Sequence, residues 1–471
     1  MIKKERKALK KSVYSYLTGE GIDYKNEVFC NTDKTSRIEA IWDQSEETGL
    51  PPEGFLYGAE YRNSDINVAL SSNDPNAIVP QIDDTGHGTF ISSVAAGTQD
   101  SNYTFTGVAP FARIAMVKLK RAKQYLKDYF FIQDDAVAYQ ENDIMAGAVY
   151  LNRLAAELHM PLVICISVGS NSGSHSGVGA LSNLLDKIDS QKQRAVVVAG
   201  GNEANRRRHF SKSGFVLGEY ENVEVNVGDN VKGFVAELWS MAPDLYSIEM
   251  ISPTGERFPK SAIRWDSSVE YNFVFEDTTV TVDYRVSDIL SGAQLIFIRV
   301  DSPSKGLWNI RVYGESVIRG MFNIWLPMSN FLTAELFFIR SNPDTTITTP
   351  GAAELPITVG AYNSKDNSIY LYSGRGYTTD DIIKPDFVAP GVDVYGAGTN
   401  NAFTTMTGTS ISAAISAGAV ALILEWAVGR GNYTDISSAD IRNLIIRGTA
   451  KDANRIYPNQ EWGDCVNIVL G

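Results

Sequence analysis

Histidine is scarce in this chain: 471 residues contain four, His87, His159, His175 and His209. Imidazole is the side chain best suited to general base work near neutral pH, so the field of candidates is small. His87 lies in Asp84-Thr-Gly-His-Gly-Thr89, ahead of a helix-like stretch at 90–96. The flanking glycines clear side chains from around the imidazole and allow unusual backbone where the chain enters the helix. A histidine packed in a core needs no such flanks. Ser410 stands in Thr407-Gly-Thr-Ser-Ile-Ser-Ala-Ala414, before a long apolar stretch at 411–428. At a helix start, unpaired N–H groups and the helix dipole favour developing negative charge. Serine is also an ordinary helix cap, but here small residues crowd both sides of one hydroxyl. Asn202 closes Ala199-Gly-Gly-Asn202 directly after an apolar run. A strand end places it at the rim of a sheet, where α/β proteins put ligands and an amide can donate to an oxyanion. It also fits a simple turn after two glycines.

The elements that must position these residues alternate. Runs at 114–119, 162–168 and 195–199 are short, apolar and bounded by turn residues, as suits strands buried on both faces of a parallel sheet. Between them, 135–158 carries Ile144, Ala148, Leu151, Leu154 and Leu158 at helical spacing, and 181–188 reads similarly. This order predicts an α/β fold with helices on both faces of the sheet. The pattern changes near Phe210 and changes back near Ser341. In between, short and partly alternating runs such as 223–227, 280–284 and 295–300, with a turn at 252–255, predict an antiparallel sandwich or jelly roll. The expected division is residues 1–212, a β insert at 213–340, and the resumed α/β part at 341–471.

The three chemical motifs, in this order, resemble those of the subtilisin-like serine peptidases. Ile166-Ser-Val-Gly169 resembles the family's cleft-lining strand, which assigns Ser167, Val168 and Gly169 to the substrate cleft. Gly107-Val-Ala-Pro110 and Lys384-Pro-Asp-Phe-Val-Ala-Pro-Gly391 also match family stretches. Arg37-Ile-Glu-Ala-Ile-Trp-Asp43 and Tyr457-Pro-Asn-Gln-Glu-Trp-Gly463 are similar to subtilases of clostridia and related gut bacteria, including the germination-specific spore proteases. The resemblance implies a subtilisin-like fold interrupted by a jelly roll. It implies a serine endopeptidase acting on protein or peptide substrates, with Ser410 as nucleophile, His87 as base and Asn202 in the oxyanion hole. Family relatives are cytoplasmic, spore-associated or secreted.

One part of the pattern departs. Thr18-Gly-Glu-Gly-Ile-Asp-Tyr24 matches the second half of the family's aspartate motif, but the catalytic aspartate position falls on Gly19. The preceding apolar strand is expected to be missing, because 13–17 holds two tyrosines and a serine. Glu20 and Asp23 are the nearest carboxylates, and Asp23 is the candidate substitute, although its position also suits a loop. Asp83 and Asp84 lie too close to His87 along the chain for an easy fit. An inactive, binding or regulatory relative of the peptidases is the alternative reading.

Composition narrows the rest. Hydrophobic residues make up 44% and charged residues 21%, against a wholly disordered chain. The net charge of -13, from 42 basic and 55 acidic residues, argues against broad nucleic-acid binding. No uninterrupted apolar run reaches the roughly 20 residues of a spanning helix; 413–428 is broken by Ser416, Gly418 and Glu425. The basic start, Lys3 to Lys11, is not followed by the apolar core of an export signal. Cys30, Cys165 and Cys465 are odd in number and far apart, with neither a disulfide framework nor zinc spacing. No metal or cofactor is expected.

Overall fold

The structure, a computed structural model, describes residues 13–18, 20–100, 104–260, 267–332, 335–449 and 451–464. Gly19, the basic start and Cys465 lie outside the described residues. The short apolar runs become strands of one sheet: β1 (Val13–Thr18), β2 (Ile38–Asp43), β3 (Ala59–Arg62), β4 (Arg113–Lys118), β5 (Leu162–Ile166) and β6 (Arg194–Ala199). Helices intervene: α1 (Asn63–Leu70), α2 (His87–Ala96), α3 (Gln124–Tyr129), α4 (Glu141–Glu157) and α5 (Ala180–Asp189).

The chain then enters the insert, with β7 (His209–Lys212), β8 (Tyr220–Val227), β9 (Gly233–Ser240), β10 (Leu245–Ile251), β11 (Arg257–Phe258), β12 (Ser267–Asn272), β13 (Thr279–Arg285), β14 (Gln294–Asp301), β15 (Gly306–Ser316), β16 (Phe322–Trp325) and β17 (Leu336–Phe338). They form two sheets, β11-β10-β15-β8-β17 and β12-β13-β14-β9-β16-β7. Alternate residues of each strand meet in a shared core that includes Phe234, Ala236 and Leu238, Ile296, Ile298 and Val300, and the fully buried Trp308. Because β7 pairs with β16, the β-rich part starts at His209, four residues before the expected Ser213. His-Phe-Ser-Lys has no apolar alternation to announce a strand.

After the insert, β18 (Ile357–Asn363), β19 (Ser368–Ile369) and β20 (Phe387–Pro390) complete the first sheet. Its order is β19-β18-β6-β5-β1-β4-β2-β3, with β20 also on β18. The pairings among β2, β4, β1, β5, β6 and β18 are parallel. The strand expected to be missing is present. β1 lies in the middle of the sheet, parallel to β4 (Val13 opposite Arg113 through Thr18 opposite Lys118) and to β5. The reason is physical. A slot between β4 and β5 offers two rows of backbone donors and acceptors that must be paired when buried. Filling it takes a backbone, and Val, Tyr and Thr favour a pleated one whether or not the run is uniformly apolar.

A hairpin of β21 (Val394–Ala397) and β22 (Phe403–Met406) leads into α6 (Thr409–Leu424), and α7 (Ser438–Gly448) follows. The helical stretch 409–429 is the one among the described residues long and apolar enough to cross a bilayer, and 78% of its most apolar window is buried inside the protein. Its small residues let it run close to α2. A Cβ on Gly418 would come within 2.8 Å of the Ala95 carbonyl and 2.7 Å of Val108. That close packing brings the first turns of α2 and α6, with His87 and Ser410, to one place.

Candidate active site

Three backbone devices set up the site. Asp83 caps α2: its carboxylate accepts the N–H groups of Thr85 (3.2 Å), Gly86 (2.8 Å) and Thr89 (2.7 Å), and the Thr89 hydroxyl (2.6 Å). Gly86 takes a left-handed conformation, φ 82°, just before His87. At α6, Gly408 precedes Thr409 and Ser410. A Cβ on Gly408 would sit 3.4 Å from Ser410 Oγ and 3.6 Å from Asn202 Nδ2, so glycine leaves open a space that both atoms face. After β6, Gly201 has φ 90°, and a Cβ there would press to 2.5 Å on Thr348. Asn202 is then fixed by Thr409, whose N–H (3.1 Å) and hydroxyl (3.2 Å) both donate to Oδ1. With Oδ1 engaged, Nδ2 is the end of the amide left to donate.

His87 Nε2 lies 3.1 Å from Ser410 Oγ. On the other side of the ring, Nδ1 lies 3.0 Å from a carboxylate oxygen of Glu20. The motif pattern favours Asp23 for this place and does not single out Glu20. Glu20 follows the carboxyl end of β1, the edge where parallel sheets place their sites, one residue beyond the position that Gly19 occupies. Its extra methylene relative to aspartate supplies reach. Burial pushes the Glu20 carboxyl up, but the hydrogen bond and charge of His87, then Thr85 and Arg121, outweigh it and hold the group below the usual carboxylate range.

Asp23 does not take this role. Its N–H donates to Thr89 Oγ1 at 2.8 Å, and its Oδ2 accepts the Asn400 N–H at 2.7 Å. It joins the start of α2 to the 399–401 turn. Its position three residues past Glu20 carries it away from the imidazole.

Ser167, Val168 and Gly169 line a cavity of about 910 Å³ together with Glu20, His87, Asn202 and Ser410. They follow the end of β5 at Ile166 rather than continuing the strand, and a Cβ on Gly169 would lie 2.5 Å from Thr348 Oγ1, so this segment packs tightly on that side. Two further histidines serve packing: His175 and His209 are buried and stack on Trp325, at 4.1 and 4.7 Å between ring centres. No group of three or more potential metal ligands occurs among the described residues.

Comparison with known proteins identifies the family and the fold. The model of the family described as "Subtilase family" matches residues 20–227 and 334–463, leaving out most of the insert. Serine protease AprX of Bacillus subtilis is 33% identical over 133 residues, covering 24% of this chain and 29% of AprX. C5a peptidase of Streptococcus pyogenes is 22% identical over 469 residues, covering 94% of this chain and 37% of that protein. The chain thus spans less than two-fifths of the length of these curated relatives. The solved structure of the Clostridium perfringens CspB protease is similar throughout, with a TM-score of 0.86, 29% identity, and coverage of 97% of this chain and 91% of that one. The fold is therefore subtilisin-like, with added β strands.

Proposed function

Given that the chain belongs to the subtilase family of serine peptidases, we propose that it is an endopeptidase in which Glu20 replaces the usual aspartate. The supporting observation is the line of contacts from Glu20 through both nitrogens of His87 to Ser410. Ser410 Oγ attacks the carbonyl carbon of a peptide bond while His87 Nε2 takes its proton. Glu20 holds the proton on Nδ1 and offsets the charge of the imidazolium. The tetrahedral oxyanion receives hydrogen bonds from Asn202 Nδ2 and the Ser410 N–H, in the space beside Gly408. His87 then gives its proton to the leaving amine, and the acyl-enzyme is hydrolysed by water along the reverse path.

A fluorophosphonate probe tests this. Wild-type protein should be labelled, Ser410→Ala and His87→Ala should not, and Glu20→Gln should be labelled far more slowly. A folded wild-type protein that stays unlabelled would instead be an inactive binding relative.

A further inference from the structure

The insert does more than decorate the fold. Along β9, Phe234, Ala236 and Leu238 point into the insert's own core. The period of two therefore sends Gly233, Val235, Glu237 and Trp239 to the opposite face. Gly233 meets the Phe131 ring, which a Cβ would approach to 2.3 Å. Val235, Glu237 and Trp239 line the same cavity as Ser410, His87 and Asn202. Leu290, 51% exposed on the turn between β13 and β14, lines its rim. Ser167, Val168 and Gly169, just past the end of β5, line that cavity too.

Charge on this surface is one-sided. No lysine or arginine lines the cavity among the described residues, whereas Glu20, Glu141, Glu237 and Asp288 do. These acids already have partners. Glu237 accepts the Gly173 N–H and the Trp239 indole N–H, both at 2.9 Å. Asp288 accepts the Ser291 N–H and hydroxyl, both at 2.9 Å, and the Leu290 N–H at 3.2 Å. Glu141 accepts the Leu181 N–H at 3.0 Å. They are held in place rather than free to pair with an incoming cation, and their summed field opposes an incoming carboxylate.

We propose that the outer face of the β insert is one wall of the pocket that takes a substrate side chain beside the scissile bond, admitting large apolar side chains and excluding carboxylates. This rests on the peptidase reading and adds a selecting surface supplied by a part of the chain outside the α/β core.

The test uses the full chain and N-blocked peptide anilides in which one position at a time is Leu or Glu. Wild type should prefer Leu over Glu by about tenfold or more at one position, the scale a pocket wall can deliver. Leu290→Lys and Val235→Lys should each shrink that ratio by about tenfold and leave the other positions unchanged. Leu290 is exposed, so its variant decides the matter if Val235→Lys does not fold. A ratio that is flat in wild type, or unaltered in folded Leu290→Lys, overturns the proposal. Fluorophosphonate labelling tells separately whether the peptidase reading has failed. If it has, or if no anilide is cleaved, fluorescent Leu and Glu peptides are bound to Ser410→Ala, alone and combined with Leu290→Lys. Tighter binding of the Leu peptide that shrinks in the double variant supports the wall; equal binding, or a preference unaltered by Leu290→Lys, overturns it.

Discussion

Glu20 meets His87 from one position further along the chain than an aspartate would, and the geometry of that substitution has measurable consequences. If Glu20 orients the ring and offsets its charge, Glu20→Gln should lower kcat/KM by up to about 10⁴, as loss of the carboxylate does in related triads. Glu20→Asp should fall nearly as far, since it keeps the charge and loses the reach. Steady-state kinetics on the two variants separates charge from length; full activity in Glu20→Gln would remove the residue from the mechanism. Asn202→Ala should cost about 10²–10³ in kcat with KM little changed, the usual loss for one oxyanion donor, measured on a single peptide substrate. His87, Asn202 and Ser410 are legible in the sequence because each sits in a motif whose glycines and small neighbours serve a backbone need: the left-handed Gly86, the positive φ and close approach to Thr348 at Gly201, the open space at Gly408. Glu20 is not, because a motif aligned by residue type puts the carboxylate at Gly19. Side-chain length, which lets a neighbouring position serve, is invisible to that alignment.

Elements carry these residues, and their legibility follows the source of their stability. β5, and β6 after Arg194, are buried on both faces and read as unbroken apolar runs. β1 is specified by the slot between β4 and β5, a tertiary cause that local composition does not display. The same dependence on neighbours appears at Asp189, the last residue of α5. It is 2% exposed, accepts the Val196 N–H of β6 at 2.6 Å, and is pushed up by burial to about 7, despite Ser438 and Val196 acting to lower it. A carboxyl whose folded pKa is raised favours folding while protonated, so its contribution is full below the ordinary value near 3.8 and is lost as pH rises through about 7. Wild-type stability relative to Asp189→Asn should therefore fall between about pH 4 and pH 7, by on the order of 1 kcal/mol per pH unit. Thermal melts of both proteins across that range check it; parallel curves would show that Asp189 does not titrate on unfolding.

Across the whole molecule, the insert and the α/β part are joined by contacts that also shape the cleft. Glu203, next to Asn202, accepts the Ser329 N–H at 3.1 Å and hydroxyl at 2.7 Å, tying the turn after β6 to the insert. Trp325 on β16 stacks with both His175 of the cleft loop and His209 of β7. The sequence shows the alternating strands of the insert but not this seam, because its residues come from three distant segments. A seam this buried should make both parts melt together. Trp325→Ala would remove a large ring that packs on two imidazoles, at a cost of about 3–5 kcal/mol. Calorimetry should show one transition in wild type and two in the variant. The seam should also weaken in acid. Burial lowers both histidines, His209 to about 4, against its hydrogen bonds to Asn323 and the nearby carbonyls. An imidazole held neutral in the fold takes up a proton on unfolding once the pH is below its unfolded value near 6.5. Stability is therefore lost as pH falls from about 6.5 towards 4, by about 1.4 kcal/mol per pH unit for a single such group. His209→Gln cannot titrate, so its melting temperature should fall less steeply over that window. An identical slope in wild type and His209→Gln would locate the acid sensitivity elsewhere, in the paired carboxylates.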